Sequence, residues 1–288
     1  MTTIQYYRGT ECKMDVLFTA FQTGFSDYLI KYNFTLEQFA DRFFGPEGNA
    51  IEHSFVALRG DEPVGIVLGG TREYEGIRTM RCGALALKPG ERGQGVSARL
   101  MELHREEAIR QGCRQLLLEV IVGNDRAIAF YHKLGYSRVY ELSYFSKSDL
   151  SNLKSLPNKL DDPISVAPLD WGDFASSVNK NRYFHLNWQN DLDYIRRAGD
   201  HVFFGAFHEG ELVGTLGITR TGRISILFVD LDFRSRGTAT RLLQRAVSEL
   251  ELSKLSISMP NNALIEGFIR RLGFQRDAIS QYEMYLTL

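Results

Sequence analysis

The chain has 288 residues, 44% hydrophobic, 24% charged and 12% aromatic, which excludes a disordered, a collagen-like and a disulfide-scaffold protein and gives length enough for two domains. Its 34 basic and 35 acidic side chains leave a net charge of −1, so no overall field favours nucleic acid or an anionic membrane. Cys12, Cys82 and Cys113 are widely spaced and form no C-x-x-C, the pattern of a reduced, cytoplasmic chain. Arg8, Glu11 and Lys13 break up the N-terminus, so no signal peptide is expected. There is no 18-residue apolar run to span a membrane, and the scattered histidines make no metal-ligand pattern, so no metal is expected.

In chain order, Ile4–Arg8 reads as a short strand and Glu11 to about Gln22 as a helix. Thr35-Leu-Glu-Gln38 is a capping box that opens a second helix. Strands follow at His53–Leu58, Val64–Gly69 and Met80–Leu87, the first two joined by a Gly60-Asp61 turn. A glycine-bearing loop, Lys88–Gly95, leads into a helix from Val96 to Gln111. There Ser97, Met101, His104 and Ala108 share one face, while Arg99, Arg105, Glu106 and Glu107 read as solvated. Gln115–Val122 is a buried strand, Arg126–Leu134 a helix, and strands at about 137–145 close the domain. Ser146–Pro168 holds three of the seven prolines and lacks periodicity, as a connection between domains does.

Beyond it the pattern repeats. Ala57–Gly65 recurs as Ala206–Gly214 (214 − 65 = 149), Arg92-Gly-Gln-Gly95 as Arg234-Ser-Arg-Gly237, and Leu134-Gly-Tyr136 as Leu272-Gly-Phe274. The constant order predicts an internal duplication: residues 1–148 a first domain, 149–163 a linker, and 164–288 a second. Strands with inserted helices predict an α/β fold, each domain a mixed, mostly antiparallel sheet flanked by helices.

The segment Leu85-Ala-Leu-Lys-Pro-Gly-Glu-Arg-Gly-Gln-Gly-Val-Ser97 carries the chemistry. A strand ends, glycines turn the chain, and a helix begins with free peptide N–H groups and a positive dipole end, which suits a phosphate. Arg92 is a bidentate phosphate donor. Gly93-Gln-Gly-Val-Ser-Ala98 also fits a dinucleotide fingerprint, with Glu119 following 119 − 95 = 24 residues after Gly95. Four residues nevertheless separate the strand from Gly93, hairpins precede the loop, and the second copy has Ser235 for the first glycine. Those features argue against a dinucleotide fold.

Arg92-Gly-Gln-Gly-Val-Ser97 resembles the acyl-CoA pyrophosphate loop of the GNAT superfamily of N-acyltransferases, with Ser97 a small departure at its last position. Asn124-Asp-Arg-Ala-Ile-Ala-Phe-Tyr-His-Lys-Leu-Gly-Tyr136 is similar to that family's second hallmark. The resemblance implies an acetyl-CoA-dependent N-acetyltransferase that moves an acetyl group directly to a primary amine, with acetyl-CoA as co-substrate. It implies that backbone N–H groups of Arg92, Gly93, Gln94, Gly95, Val96 and Ser97 hold the pyrophosphate. Leu85, Ala86 and Leu87 would pair with the pantetheine arm, and Asn124 would touch it near the thiol. Tyr131 would protonate the leaving thiolate, and Glu119 is the first candidate for the general base, with Glu73 and Glu75 next. Asp27 and Tyr28, after the first helix, are candidates for the acceptor wall.

The plainer readings make Tyr131 a core aromatic, Glu119 a structural partner of Arg81 or Arg126, His104 structural, and Cys82 and Cys113 small core residues. In the second copy Tyr131 aligns with Ile269 and Glu119 with Ile257, while Asn262 stands for Asn124. That half is expected to be degenerate. The alternative function is a catalytically silent acyl-CoA-binding sensor or scaffold. The acceptor, a small molecule or a peptide, is not selected by the sequence, and a monomer with an internal pseudo-dimer and a homodimer are both open.

Overall fold

The computed structural model describes residues 3–155, 164–181, 184–261 and 263–288. Residues 156–163 of the expected linker, and Asn262, lie outside the described residues. The chain divides into two compact units, Met1–Val139 with Tyr282–Leu288, and Tyr140–Gln281.

The first unit contains β1 (Ile4–Arg8), α1 (Met14–Gly24), α2 (Leu36–Phe44), β2 (Ala50–Arg59), β3 (Glu62–Tyr74), β4 (Ile77–Leu87), α3 (Val96–Arg110), β5 (Gln115–Ile121) and α4 (Asp125–Lys133). Then come β6 (Ser137–Lys147), α5 (Ser151–Ser155), β7 (Ile164–Pro168), α6 (Trp171–Lys180), α7 (Leu192–Ala198), β8 (His201–His208), β9 (Glu211–Thr219), β10 (Arg223–Val229), α8 (Thr238–Glu249), β11 (Leu255–Pro260), α9 (Ala263–Arg271) and β12 (Gln275–Thr287).

In the first unit β1 to β4 form an antiparallel meander, β5 joins β4 in parallel, and the end of β12 follows β5. The turn between β2 and β3 uses Gly60 at φ 61°, which glycine adopts without steric penalty. The capping box forms as its spacing predicts: Gln38 N donates to Thr35 Oγ1 at 3.2 Å, and Thr35 N to Gln38 Oε1 at 3.0 Å. Helices cover both faces. Leu17, Phe21, Phe39 and Phe43 of α1 and α2 pack with Val56, Ile66, Leu68 and Ala86. Leu100, Met101 and Ala108 of α3, with Ile128 and Tyr131 of α4, pack with Val67, Met80, Cys82 and Leu118.

One solvated-face expectation is corrected here. Glu107 is buried, accepting from Arg8 Nη1 at 2.8 Å and lying 2.9 Å from His53 Nδ1. Its partners come from β1 and the following strand, which helical spacing cannot reveal. Arg99 does lie on a solvated face, beside Glu102 and Glu106.

The second unit repeats the plan, in the order β7, β8, β9, β10, β11, β6. Phe174, Val178 and Ile195 of α6 and α7 lie in one apolar cluster, and Leu242, Leu243, Ala246 and Ile269 of α8 and α9 in the other. The strand expected to close the first domain departs from the forecast. Leu142–Lys147 of β6 pair antiparallel with Leu255–Pro260, and Phe145 lies in the second unit's core with Leu150 and Leu153. Met284, fully buried, belongs to the first unit's core. Each unit thus takes a strand from the other half of the sequence. Alternation along a strand fixes its faces but not the sheet it joins. No helix among the described residues is long and apolar enough to cross a membrane.

Candidate active site

The site in the first unit is built on a parting of two strands. Parallel pairing of β4 with β5 runs from Thr79↔Gln115 to Cys82↔Leu118, where the ladder ends. At this point β4 carries a bulge: Gly69 pairs with Cys82 and Leu68 with Ala84, leaving Gly83 as the extra residue. A Cβ on Gly83 would meet Asn49 Oδ1 at 2.0 Å, so the position admits only glycine without rearrangement. Beyond the bulge Leu85, Ala86 and Leu87 pair with Val67, Ile66 and Gly65 on one side. Their other backbone edge faces the gap.

The loop after β4 ends in two left-handed glycines, Gly93 at φ 82° and Gly95 at φ 85°. Nothing lies within 4 Å of a Cβ built on either, so space does not dictate glycine here; the backbone conformation does. Gly95 is the N-cap of α3 and supplies no side-chain cap, and no acid lies in the first turn. The first N–H groups of the helix, at Val96, Ser97 and Ala98, are therefore left to an external acceptor or water. This end of the helix suits an anion.

Arg92 does something the sequence did not suggest. Its Nε donates to Leu87 O at 3.2 Å, Nη2 to Gly24 O at 3.1 Å, and Nη1 and Nη2 grip Asp27 at 2.6 and 2.7 Å. The guanidinium fork thus ties the loop to the end of α1. Arg92 holds the Asp27 carboxyl below the usual carboxylate range, chiefly by that hydrogen bond. The two candidate acceptor residues part company: Asp27 goes to the loop, whereas Tyr28 lies within hydrogen-bonding reach of Asn124.

Asn124 caps α4, its Oδ1 accepting from Ala127 N at 3.3 Å. One turn from the end of that helix is Tyr131, buried, its ring 5.4 Å from Phe130 and 6.0 Å from Tyr136. Burial, then Cys82, Tyr136 and Tyr28, raise its pKa well above the ordinary phenol value. The hydroxyl therefore stays protonated at any working pH. Burial also pushes the Cys82 thiol up to about 12, which makes it a poor nucleophile and fits its expected place in the core.

Glu119 is the first residue of β5 beyond the ladder. It accepts from Arg81 Nη2 at 2.6 Å, while Arg81 Nη1 donates to Glu47 at 2.8 Å; the three side chains are 5%, 6% and 9% exposed. Burial alone would lower the Arg81 pKa, but the two carboxylates outweigh it and raise the value. Arg81 is thus the partner of Glu119, and Arg126 is not needed for that role. Glu47 was invisible in the sequence, because Gly45-Pro-Glu-Gly48 reads as an ordinary turn. Glu73 and Glu75 lie exposed towards the β3–β4 hairpin.

The second unit keeps the backbone and changes the side chains. Pairing of β10 with β11 ends at Ile224↔Ile257, and Ser225 is bulged as Gly83 is. Gly237 caps α8 at φ 92°, and Ser235 adopts φ 62° where the first unit has Gly93. Arg234 Nε donates to Val229 O at 2.9 Å, as Arg92 does to Leu87. Ile269 occupies the place of Tyr131: Phe274 N donates to Ile269 O as Tyr136 N does to Tyr131 O, both at 3.1 Å. One alignment changes. Cys82↔Leu118 corresponds to Ile224↔Ile257, so Ser258, not Ile257, is the counterpart of Glu119. The one-residue difference reverses the face on which the side chain falls.

Comparison with known proteins gives a consistent result. Residues 15–136 match the Acetyltransferase (GNAT) family, and residues 181–287 an Acetyltransferase (GNAT) domain. The chain is 32% identical over 112 residues to N-alpha-acetyltransferase 30 of Schizosaccharomyces pombe, a match covering 37% of this chain and 73% of that protein. Among solved structures it resembles a tandem GNAT protein from the clavulanic acid biosynthesis pathway, with TM-score 0.70, 15% identity, and coverage of 99% of this chain and 98% of that one. A GCN5-related N-acetyltransferase from Sphaerobacter thermophilus gives TM-score 0.69 at 14% identity, covering 99% and 95%. The likeness to these two structures is one of fold.

Proposed function

Because the chain belongs to the GNAT acetyltransferases, as an N-acetyltransferase with two such domains in tandem, we propose that its first domain transfers the acetyl group of acetyl-CoA directly to a primary amine. The observation that carries this reading is the conjunction, in one unit, of the parted strands, the uncapped α3 N-terminus and the buried Tyr131. Acetyl-CoA brings an acetyl thioester, and the residues present fit it. Backbone N–H groups from Gly93 to Ser97 face the pyrophosphate, helped by the dipole of α3, whereas the N–H of Arg92, expected among them, is committed to Pro89 O at 3.4 Å within the loop. The open edge at Leu85–Leu87 bonds the pantetheine arm and polarises the acetyl carbonyl. Asn124 lies near the thiol end.

Tyr131 gives its proton to the sulfur of the leaving thiolate as the carbon–sulfur bond breaks. With its pKa raised above the ordinary value of ~10, against a thiol near ~8.5, a separate proton-transfer step is uphill, which favours transfer in concert with departure. Glu119 takes the proton that the amine loses as the new carbon–nitrogen bond forms. Tyr28 and the segment after α1 line the acceptor side. The name of the Schizosaccharomyces pombe relative makes an α-amino group the first acceptor to try.

The test is thiol release from acetyl-CoA with a panel of acceptors: peptides with free α-amines, amino acids, polyamines and aminoglycosides. Turnover with one class, at least a hundredfold above background hydrolysis, is the expected outcome. Slow hydrolysis alone with every acceptor, together with tight acetyl-CoA binding, would instead favour a silent sensor or scaffold.

A further inference from the structure

We propose that Arg81, braced by Glu47, is a positioning residue for acetyl transfer, its guanidinium fork setting the Glu119 carboxylate where β4 and β5 part. The inference rests on the reading of Glu119 as proton acceptor and assigns the parts that hold it.

The geometry is that of a clamp. Each Nη of one planar guanidinium is committed to a different carboxylate, Nη1 to Glu47 at 2.8 Å and Nη2 to Glu119 at 2.6 Å. The three residues come from the segment after α2, from β4 and from β5. A planar fork with both ends occupied sets the direction from which each carboxylate is held in a way that an ammonium on a flexible stem does not.

Burying two carboxylates is expensive, and a buried ion pair is often replaceable by neutral groups without loss of stability. The second unit supplies the control. At the same register Arg223 Nη1 donates to the neutral Asn190 Oδ1 at 3.0 Å, and Asn190 Nδ2 donates to Ser258 O at 3.0 Å. Ser258 stands where Glu119 would, so the fold can close this point without a carboxylate. Stability alone therefore does not explain Glu47 and Glu119 in the first unit, and a role in the chemistry does.

The charges around the clamp set the signs of the test. Glu119 faces Arg81 and, from β12, Tyr285; Glu47 faces Arg81 and Tyr32; Cys82 feels Arg81 from the next position. Removing Arg81 takes a cation from beside Glu119, which makes its carboxylate harder to ionise. Removing the charge of Glu47 takes away a like charge, which makes it easier.

The experiment measures kcat against pH at saturating acetyl-CoA, with an amine acceptor of low pKa so that the acceptor's own ionisation stays outside the window. Arg81→Gln should move the acidic limb up by about one pH unit or more, because a neutral amide no longer favours the ionised form of the carboxylate beside it. Glu47→Gln should move it down. Arg81→Lys should leave the limb near its wild-type place with a lower kcat, and the KM for acetyl-CoA should hold throughout. A limb that is lost in Glu119→Gln but unmoved in Arg81→Gln and Glu47→Gln would overturn the inference and leave Glu119 as base. A wild-type profile in Glu119→Gln would overturn the reading beneath it as well. If Arg81→Gln does not fold, Glu47→Gln decides: a downward shift supports the clamp, and no shift removes it.

Discussion

Where β4 leaves β5, Arg81 is gripped by two carboxylates; where β10 leaves β11, Arg223 is held by an amide. The same contrast recurs one helix later, with Tyr131 in the first unit and Ile269 in the second. Both units retain the bulge, the parted strands, the left-handed loop and the uncapped helix. The two units thus share the backbone that builds the gap, while the second carries apolar or neutral groups at the places proposed for proton transfer. Backbone geometry and proton chemistry are separable properties of this fold, and a functional reading must rest on the latter.

The sharpest way to break that comparison is Tyr131→Phe. Loss of a positioned acid typically costs ~10²–10⁴ in rate, so kcat should fall by about that factor while acetyl-CoA affinity, measured by calorimetry, stays close to wild type. Ile269→Tyr should leave turnover unchanged, since Ser258 stands in the second unit where Glu119 stands in the first. A near-normal Tyr131→Phe enzyme would move the chemistry elsewhere.

Next in size is an acid response. His104 of α3 is fully buried, neither ring nitrogen has a hydrogen-bond partner among the described residues, and burial pushes its pKa down to about 4. Below pH ~6.5 an unfolded chain protonates this imidazole while the folded one does not, so stability is whole above ~6.5 and is lost as pH falls towards 4. A shift of that size corresponds to about 3 kcal/mol. The equivalent position in α8 is Ala246, which has no such dependence. In urea melts between pH 7 and pH 4, His104→Leu should remove most of this loss; an unchanged pH dependence would mean that the imidazole is hydrated or paired in solution.

The loop arginines should give a smaller effect. Arg92→Ala frees Asp27 and the end of α1, and the KM for acetyl-CoA should rise a few-fold, as for partly exposed ion pairs. Arg234→Ala, which breaks the matching bond to Val229, should leave KM unmoved. Smallest is a reciprocal exchange of glycine and serine. A left-handed non-glycine residue costs ~1–2 kcal/mol, partly offset by the freedom that glycine has when unfolded. Ser235→Gly should therefore stabilise the chain by up to about 1 kcal/mol and Gly93→Ser should destabilise it by as much. Equal melting temperatures for the two variants would show that the loop relaxes around either residue.

Local features were legible in the sequence. The Thr35–Gln38 capping box, the hairpin turn at Gly60-Asp61 and the helix after Gly95 declare themselves through neighbours a few residues apart, and the structure has them at those residues. Features made by distant segments were not. Glu107 looked solvated because Arg8 and His53 lie far away in sequence. Glu47 looked like part of a turn because Arg81 is on another element. Arg92 looked like a phosphate donor because nothing near it in sequence hints at Asp27. The register error that matched Glu119 to Ile257 has the same root: a strand's partner, not its own residues, fixes its numbering.

The exchange of closing strands bears on the order in which the protein can be made. A ribosome releases residues in sequence, so Tyr282–Leu288, which complete the first unit, emerge only after all of Tyr140–Gln281 has been synthesised. Until then the flank of β5 has no neighbour from β12, and the place of Met284 in the core stands open. A nascent chain stalled before that point would hold every residue proposed for catalysis and still lack the strand beside Glu119. The half translated first therefore gains its last strand only after the other half has been synthesised.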